Sequence, residues 1–345
     1  MAPRRTLDYL VDLFTPEIRD AFLRAIADIV DNAILEEVIK AIEAGDAVRA
    51  FEVLGVTPAA LRPITAALER AYERGGVLTG EQFPKYLRTP AGRAVFRFDA
   101  RNSRSEAWLR DHSSQLVTRI TDEARANVRT VLQRGMIEGT NPRTVALEIV
   151  GRKDPITKNR IGGVIGLTEN QERWVVNARR RLQELDPVYL TMELRNKRFD
   201  SIVAKAIATG KPLTKETIDK LVTAYTDKAL KYRGDSIART EAIHALNRSE
   251  WEAHKQAVDM GALRPQDITR HWDSASDTRV RWSHSRMDTI YNNRGVGIDE
   301  PFVSPSGARM MFPGDTSLGA PAGEVVMCRC RVRLKVDFLA QWKDD

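Results

Sequence analysis

Cys328 and Cys330 are the two cysteines of the chain, one residue apart, with His284 upstream of them. Residues i and i+2 of a strand project to the same side. Both thiolates could therefore hold one tetrahedral Zn²⁺ with His284 as third ligand, the fourth coming from His271, Asp273 or Asp277 nearby in sequence. The competing reading is packing: Val332, Leu334 and Val336 would share that face, and buried cysteine behaves as a small hydrophobe. No resident cofactor is the base expectation, with structural zinc as the alternative. A disulfide between the pair is disfavoured, because their strand geometry diverges and a reducing compartment is expected.

His284 with Asp277, Arg279 and Arg281 has the residue types of an acid–base site, a carboxylate orienting the imidazole and arginines clamping a phosphate. Adding Asn292 and Asn293 suggests a metal-dependent nuclease, yet the second histidine and acidic ligand such a site needs are not at recognisable spacing. A hydrogen-bonded network holding turns is the favoured reading. Arg239, Glu241 and Asn247 lie within one helical stretch and read as a brace onto the C-terminal region through Arg–carboxylate bonds. Arg329, Arg331, Arg333 and Lys335 would share one strand face, and Arg179, Arg180 and Arg181 lie on a helix. These arginines could grip phosphates or an acidic protein surface, or simply guard a strand edge. Gly162-Gly163-Val164-Ile165-Gly166 is no phosphate loop, since no Lys-Ser/Thr follows. A Ser-His-Asp nucleophile elbow is absent too. No complete catalytic set emerges, so a non-enzyme is expected.

The elements that position these residues are mostly helical. Thr15-Pro16 and Thr57-Pro58 are helix-start signals, and apolar residues recur at helical steps from Ile18 to Ile42 and from Leu61 to Tyr72. Gly45 and Gly75-Gly76 read as stops. Ser103 with Glu106, and Thr168 with Gln171, have the spacing of capping boxes. Asn141-Pro142 opens a short helix ending at Gly151, and Arg152 to Leu167 reads as a hairpin or long loop. Further helices are expected to end near Gly210 and Gly234, with another from Asp235 to Gly261. Strict alternation from Val326 to Val336 predicts one half-buried strand. The expected fold is mainly α in the N-terminal and middle regions with a small α+β C-terminal domain.

The 345 residues carry 54 Lys+Arg against 47 Asp+Glu, and 42% are hydrophobic. Such values fit a globular protein of two or three domains and argue against wholesale disorder. No apolar run reaches the roughly 18 residues a membrane helix needs. The N-terminal stretch, with Arg4, Arg5, Asp8 and Asp12, lacks the apolar segment of an export signal. Charge divides the chain into an acidic helical region at 1–87, a basic helical domain at 88–261 and an α+β domain at 262–345. Residues 88–199 hold 22 basic against 13 acidic side chains, a candidate surface for a polyanion.

The C-terminal third carries an ordered series of motifs. Ile237-Ala238-Arg239-Thr240-Glu241 precedes Trp272, then Asp277-Thr278-Arg279-Val280-Arg281, His284 and Met287. Glu300-Pro301-Phe302, Ser306-Gly307, Phe312-Pro313-Gly314-Asp315, Gly319-Ala320-Pro321-Ala322 and Cys328-Arg329-Cys330 follow. In this order and spacing residues 237–336 resemble the Mu F-type minor head proteins of tailed double-stranded DNA phages. Upstream, Gly162-Gly163-Val164-Ile165-Gly166-Leu167 and Arg198-Phe199-Asp200 also resemble longer members. Two positions depart: Thr289 stands where the family often has Gly, and Met327 where Asn commonly precedes the cysteine pair. The resemblance implies a minor capsid protein of head morphogenesis, inside the virion near the portal vertex. Portal, capsid and scaffold proteins would be its partners, with packaged DNA close by and no membrane. It singles out Arg239, Glu241, Trp272, Asp277, Arg279, His284, Phe302, Asp315, Cys328 and Cys330 as family motif residues.

Overall fold

The computed structural model describes residues 7–338 and 340; Arg4 and Arg5, in the stretch read for an export signal, lie outside the described residues. In chain order come α1 (Leu7–Asn32), α2 (Leu35–Glu43), α3 (Ala47–Leu54), α4 (Arg62–Glu81), β1 (Leu87–Thr89), β2 (Gly92–Ala94), α5 (Ser103–Ile137) and α6 (Pro142–Val150). Then follow β3 (Arg152–Lys153), β4 (Arg160–Ile161), α7 (Glu169–Gln183), α8 (Asp200–Thr209) and the 45-residue α9 (Lys215–Asp259). The C-terminal part adds β5 (Ile268–Asp273), α10 (Trp282–Arg294), β6 (Val296–Gly297), β7 (Phe302–Val303), β8 (Arg309–Met310), α11 (Ala322–Val325) and β9 (Arg331–Val336). The protein is mainly helical, with its three-stranded sheet confined to the C-terminal part. Among the described residues no helix is long and apolar enough to cross a membrane.

Local signals explain several ends. Asn141 caps α6 by accepting from the Arg143 amide, with Pro142 at the first helical position. Thr168 and Gln171 form both halves of a capping box on α7. On α5 the cap is Asn102, whose side chain accepts from the Ser105 amide, one residue before the serine expected to do this. Other signals are overridden. α1 begins upstream of Thr15 and passes through Pro16, and the Thr15 hydroxyl is buried without a partner. α4 runs through Gly75 and Gly76, and α9 through Gly234. The reason at α4 is close packing: a Cβ at Gly75 would meet the Ser249 hydroxyl at 2.2 Å, and one at Gly76 the Phe98 ring at 2.3 Å.

Two compact units form, and the division between them falls within α1, α4, α5 and α9. One comprises the described parts of Met1–Arg19, Thr65–Ser113 and Asp235–Asp345; the other comprises Asp20–Ile64 and Ser114–Gly234. These cut across the three consecutive segments expected from composition, because helices that pack together need not be adjacent in sequence.

In the second unit, the glycine-rich loop is a packing element. The Asn127 amide donates to the Val164 carbonyl at 2.6 Å, and Arg233 donates to the Gly166 carbonyl at 2.6 Å. β3 and β4 pair as a short antiparallel hairpin before it.

In the first unit, β5 is central to an antiparallel sheet of order β6-β5-β9, with Trp272 opposite Val332 and Asp273 opposite Arg331. One core gathers Trp272, Met287, Phe302, Met310, Phe312, Val325, Cys328, Cys330 and Val332. A second gathers Leu87, Phe96, Ala253, Ala257, Leu263, Ile268 and Ile298. Burying a side chain of this size contributes about 1.5–3 kcal/mol, which is how so few strands hold together. The strand expected from Val326 is shorter, starting at Arg331. Met327 takes φ +57°, which breaks the alternation, and leaves Val326 exposed.

Candidate functional site

His284 sits in the first turn of α10, and Cys328 and Cys330 lie between α11 and β9. The fold brings them together: His284 Nδ1 is 3.5 Å from Cys328 Sγ and 3.3 Å from Cys330 Sγ. The three residues are 1%, 1% and 2% exposed, so the sulfurs are shielded from bulk solvent. The Trp272 ring meets the imidazole edge-on at 5.1 Å. On the far side of that ring, Glu324 Oε2 is 2.9 Å from His284 Nε2. Ser283 and Ser306 hydroxyls donate to the two Glu324 oxygens at 2.9 and 2.6 Å.

The electrostatics follow from these contacts. Cys328 is held well below the usual thiol range, chiefly because Cys330 donates to it, with His284 adding to the effect against the cost of burial. Cys330 is pushed up by that same sharing and by burial. Burial would raise Glu324, but the serine hydroxyls and the neighbouring imidazole outweigh it and hold the carboxyl below its ordinary value. A carboxylate that is ionised and fixed beside a histidine can orient the ring and stabilise charge on it.

The acid–base constellation of Asp277, Arg279 and Arg281 around His284, weighed against a network holding turns, is not assembled. Asp277 instead pairs with Arg329 through both carboxylate oxygens and also with Arg279 at 3.4 Å. Arg281 donates to the Val326 carbonyl. None of the three residues considered as a fourth zinc ligand joins the cluster. His271 bonds the Asn292 carbonyl at 2.7 Å, and Asp273 pairs with Arg331 at 2.8 Å. Among the described residues, two groups bring metal-capable atoms together: His284, Cys328 and Cys330 here, and His112, Glu241 and His244 elsewhere.

The remaining motif residues are structural joints. Asp315, 1% exposed, accepts from the Met311 and Ser317 amides at 2.7 and 2.9 Å and so closes the Phe312-Pro313-Gly314-Asp315 turn. Phe302 packs edge-on against Trp272 at 5.4 Å. Glu241 lies 2.6 Å from His112 Nε2, and His112 in turn packs against Trp108 and His244. The described polar joints from α9 to the C-terminal segment come from Asn247, Thr240, Trp251, whose Nε1 donates to the Ile298 carbonyl at 2.9 Å, and Lys255, which pairs with Asp299 at 2.9 Å. Thr240 accepts from the Met327 amide at 3.0 Å. Arg239 keeps a buried Nε without a partner; burial first, and Arg329 nearby second, lower its guanidinium from the usual value.

The arginines considered for phosphate contact are largely neutralised within the chain. Arg179 pairs with Asp219, Arg180 with Glu184, Arg181 with Asp186, and Arg331 with Asp273 and Asp8. Arg333 donates to the Asn292 side chain.

Sequence reasoning missed Glu324 and Arg270. Arg270 is fully buried on β5 and donates to the carbonyls of Gly297, Glu300 and Met311, tying the β6–β7 turn and the segment after β8 to one guanidinium. Burial pushes it down to about 10. Nothing in local spacing marks either residue, since each acts through partners distant in sequence.

Residues 197–333 match the family model described as Phage Mu protein F like protein, which bears out the resemblance and includes Arg198-Phe199-Asp200 but does not reach the Gly162–Leu167 stretch. No curated protein and no solved structure matches the chain.

Proposed function

We propose that this chain is a structural component of the head of a tailed double-stranded DNA phage, acting in head morphogenesis as a minor capsid protein beside the portal. The match over residues 197–333 carries this reading. The character of the motif residues supports it: Asp315, Phe302, Glu241 and Asp277 serve turns, core and ion pairs, as a scaffold requires. In this reading the chain works by docking onto portal, capsid or scaffold proteins within the virion and does no chemistry of its own.

Mass spectrometry of purified phage heads tests the reading. The chain should remain with heads and with portal-containing assembly intermediates, and cross-links should join it to the portal. Recovery in the soluble fraction alone overturns it. Contact of residues 88–199 with packaged DNA is the finer part of the same proposal. It requires duplex binding without sequence preference that weakens steeply with salt, as counterions are released. Gel shifts showing no binding at low salt would assign that region to protein contacts instead.

A further inference from the structure

We propose that His284, Cys328 and Cys330 form a structural zinc site that locks α10, α11 and the segment entering β9 together. The first argument is geometric. Zn–S bonds of about 2.3 Å and Zn–N bonds of about 2.0–2.1 Å at tetrahedral angles place nitrogen and sulfur about 3.5 Å apart. The observed separations from Nδ1 to the two sulfurs are 3.5 and 3.3 Å, and all three ligand atoms lie within 4.8 Å of one another. The two nitrogen–sulfur separations are thus close to the edges of a coordination tetrahedron.

The second argument is the surrounding shell. A metal-bound histidine ordinarily directs its other ring nitrogen at a carboxylate, which fixes the tautomer and raises ligand basicity. Glu324 lies beside that nitrogen, 2.9 Å from Nε2 though not aligned as its hydrogen-bond acceptor, and is itself held by Ser283 and Ser306. On the sulfur side, the Cys330 amide donates to Cys328 Sγ at 3.4 Å. Arg329 and Arg239 place positive charge near the cysteines. A packing role explains the two small side chains but not a buried imidazole aimed at both sulfurs with a fixed carboxylate behind it.

The third argument is the donor set. Two thiolates and one imidazole suit a borderline-soft divalent ion, whereas magnesium and calcium prefer oxygen ligands. Three protein ligands leave one position of the tetrahedron to a water molecule, and Cys330 borders a cavity of about 370 Å³ together with Asn247, Ser274 and Ala275 on the side from which it would come. The inference stands apart from the head-assembly reading, since metal binding is a property of the isolated chain.

The test uses the full chain, purified without a metal-affinity tag from zinc-supplemented cells. Elemental analysis should find about one zinc per chain. Cobalt added to the metal-stripped chain should give sulfur-to-cobalt charge-transfer absorption and the intense visible bands of a tetrahedral site. Cys328→Ser and His284→Gln should abolish both signals, and Asp277→Asn should keep them. Glu324→Gln should retain the site but weaken affinity about 10–100-fold. Should the ligand variants not fold, the parent's zinc content and cobalt spectrum decide. Folded parent protein with no zinc and no charge-transfer band overturns the proposal, as does a cobalt spectrum unchanged in folded Cys328→Ser.

Discussion

The Asn247 side-chain oxygen accepts a hydrogen bond from the Val332 amide at 3.1 Å, joining α9 to β9 across 85 residues of sequence. Its amide nitrogen donates to the Pro313 carbonyl at 3.0 Å, so one buried carboxamide satisfies two backbone groups. Such a joint is expensive to remove, because an unpaired buried backbone group costs about 1–3 kcal/mol.

Asn247→Leu should therefore destabilise the protein by about 2–5 kcal/mol, both backbone partners losing their bonds. Asn247→Asp, which can accept from Val332 but offers Pro313 no amide donor, should fall between parent and leucine variant. Urea unfolding of the three proteins measures this. Equal loss in both variants would assign the effect to packing volume and not to the two bonds.

Met327 explains one departure from the family pattern. Its φ of +57° lies in the left-handed region, where ordinary side chains are strained by about 1–2 kcal/mol and Asn and Gly are tolerated. Asn commonly stands at this position in the Mu F-type proteins. Met327→Asn should raise stability by about 0.5–1 kcal/mol, since the side chain is partly exposed and the Thr240 bond uses only the backbone amide. Differential scanning calorimetry should show a higher melting temperature, and Met327→Val a lower one.

Much of the helical frame was legible in local chemistry. The Asn141 and Thr168 caps work as their spacing implies, because a cap is satisfied within its own first turn. Gly75 and Gly76 misled because glycine ends helices and also admits close neighbours. Choosing between these needs Ser249 and Phe98, more than 20 residues away at the nearest. The candidate site divides in the same way. Cys328, Cys330 and His284 carry their chemistry in their residue types, whereas Glu324 became visible only when the chain folded it behind the imidazole. The alternation from Val326 was half right: both cysteines are buried, but Met327 turns the backbone before the ladder begins.

Stability should vary with pH through two groups on α9. Burial holds His254 down at about 4 from an ordinary 6.5, although the Glu250 carbonyl beside its Nδ1 raises it slightly. A histidine with a depressed folded value binds fewer protons than the unfolded chain, so stability is full above about 6.5 and falls as pH drops toward 4. Burial raises the Glu250 side chain from 4.5 to about 8, with Arg331 opposing and Asp8 assisting. Its contribution has the opposite sense, present below 4.5 and lost as pH rises toward 8. Melting temperature across pH 4 to 9 should show both limbs. His254→Phe should flatten the acid limb and Glu250→Gln the alkaline one. An unchanged profile in both variants would assign the pH response to other groups.

The cysteines give the sharpest comparison of packing with metal binding. As plain core residues, Cys328 and Cys330 would tolerate replacement by alanine better than by serine. Each buried serine hydroxyl left unpaired costs about 1–3 kcal/mol, while alanine only leaves small cavities. As zinc ligands they respond differently: either replacement discards the metal, and the binding free energy of a structural site is folding free energy. The double variants Cys328→Ala/Cys330→Ala and Cys328→Ser/Cys330→Ser should accordingly lose stability to a similar extent. Addition of a strong chelator should lower the parent's melting temperature and leave both variants unaffected. A mild alanine variant beside a severe serine variant, with a parent insensitive to chelator, would establish the packing role. Neither outcome depends on catalysis, which would instead require a variant that keeps the parent's melting temperature while losing a measurable activity.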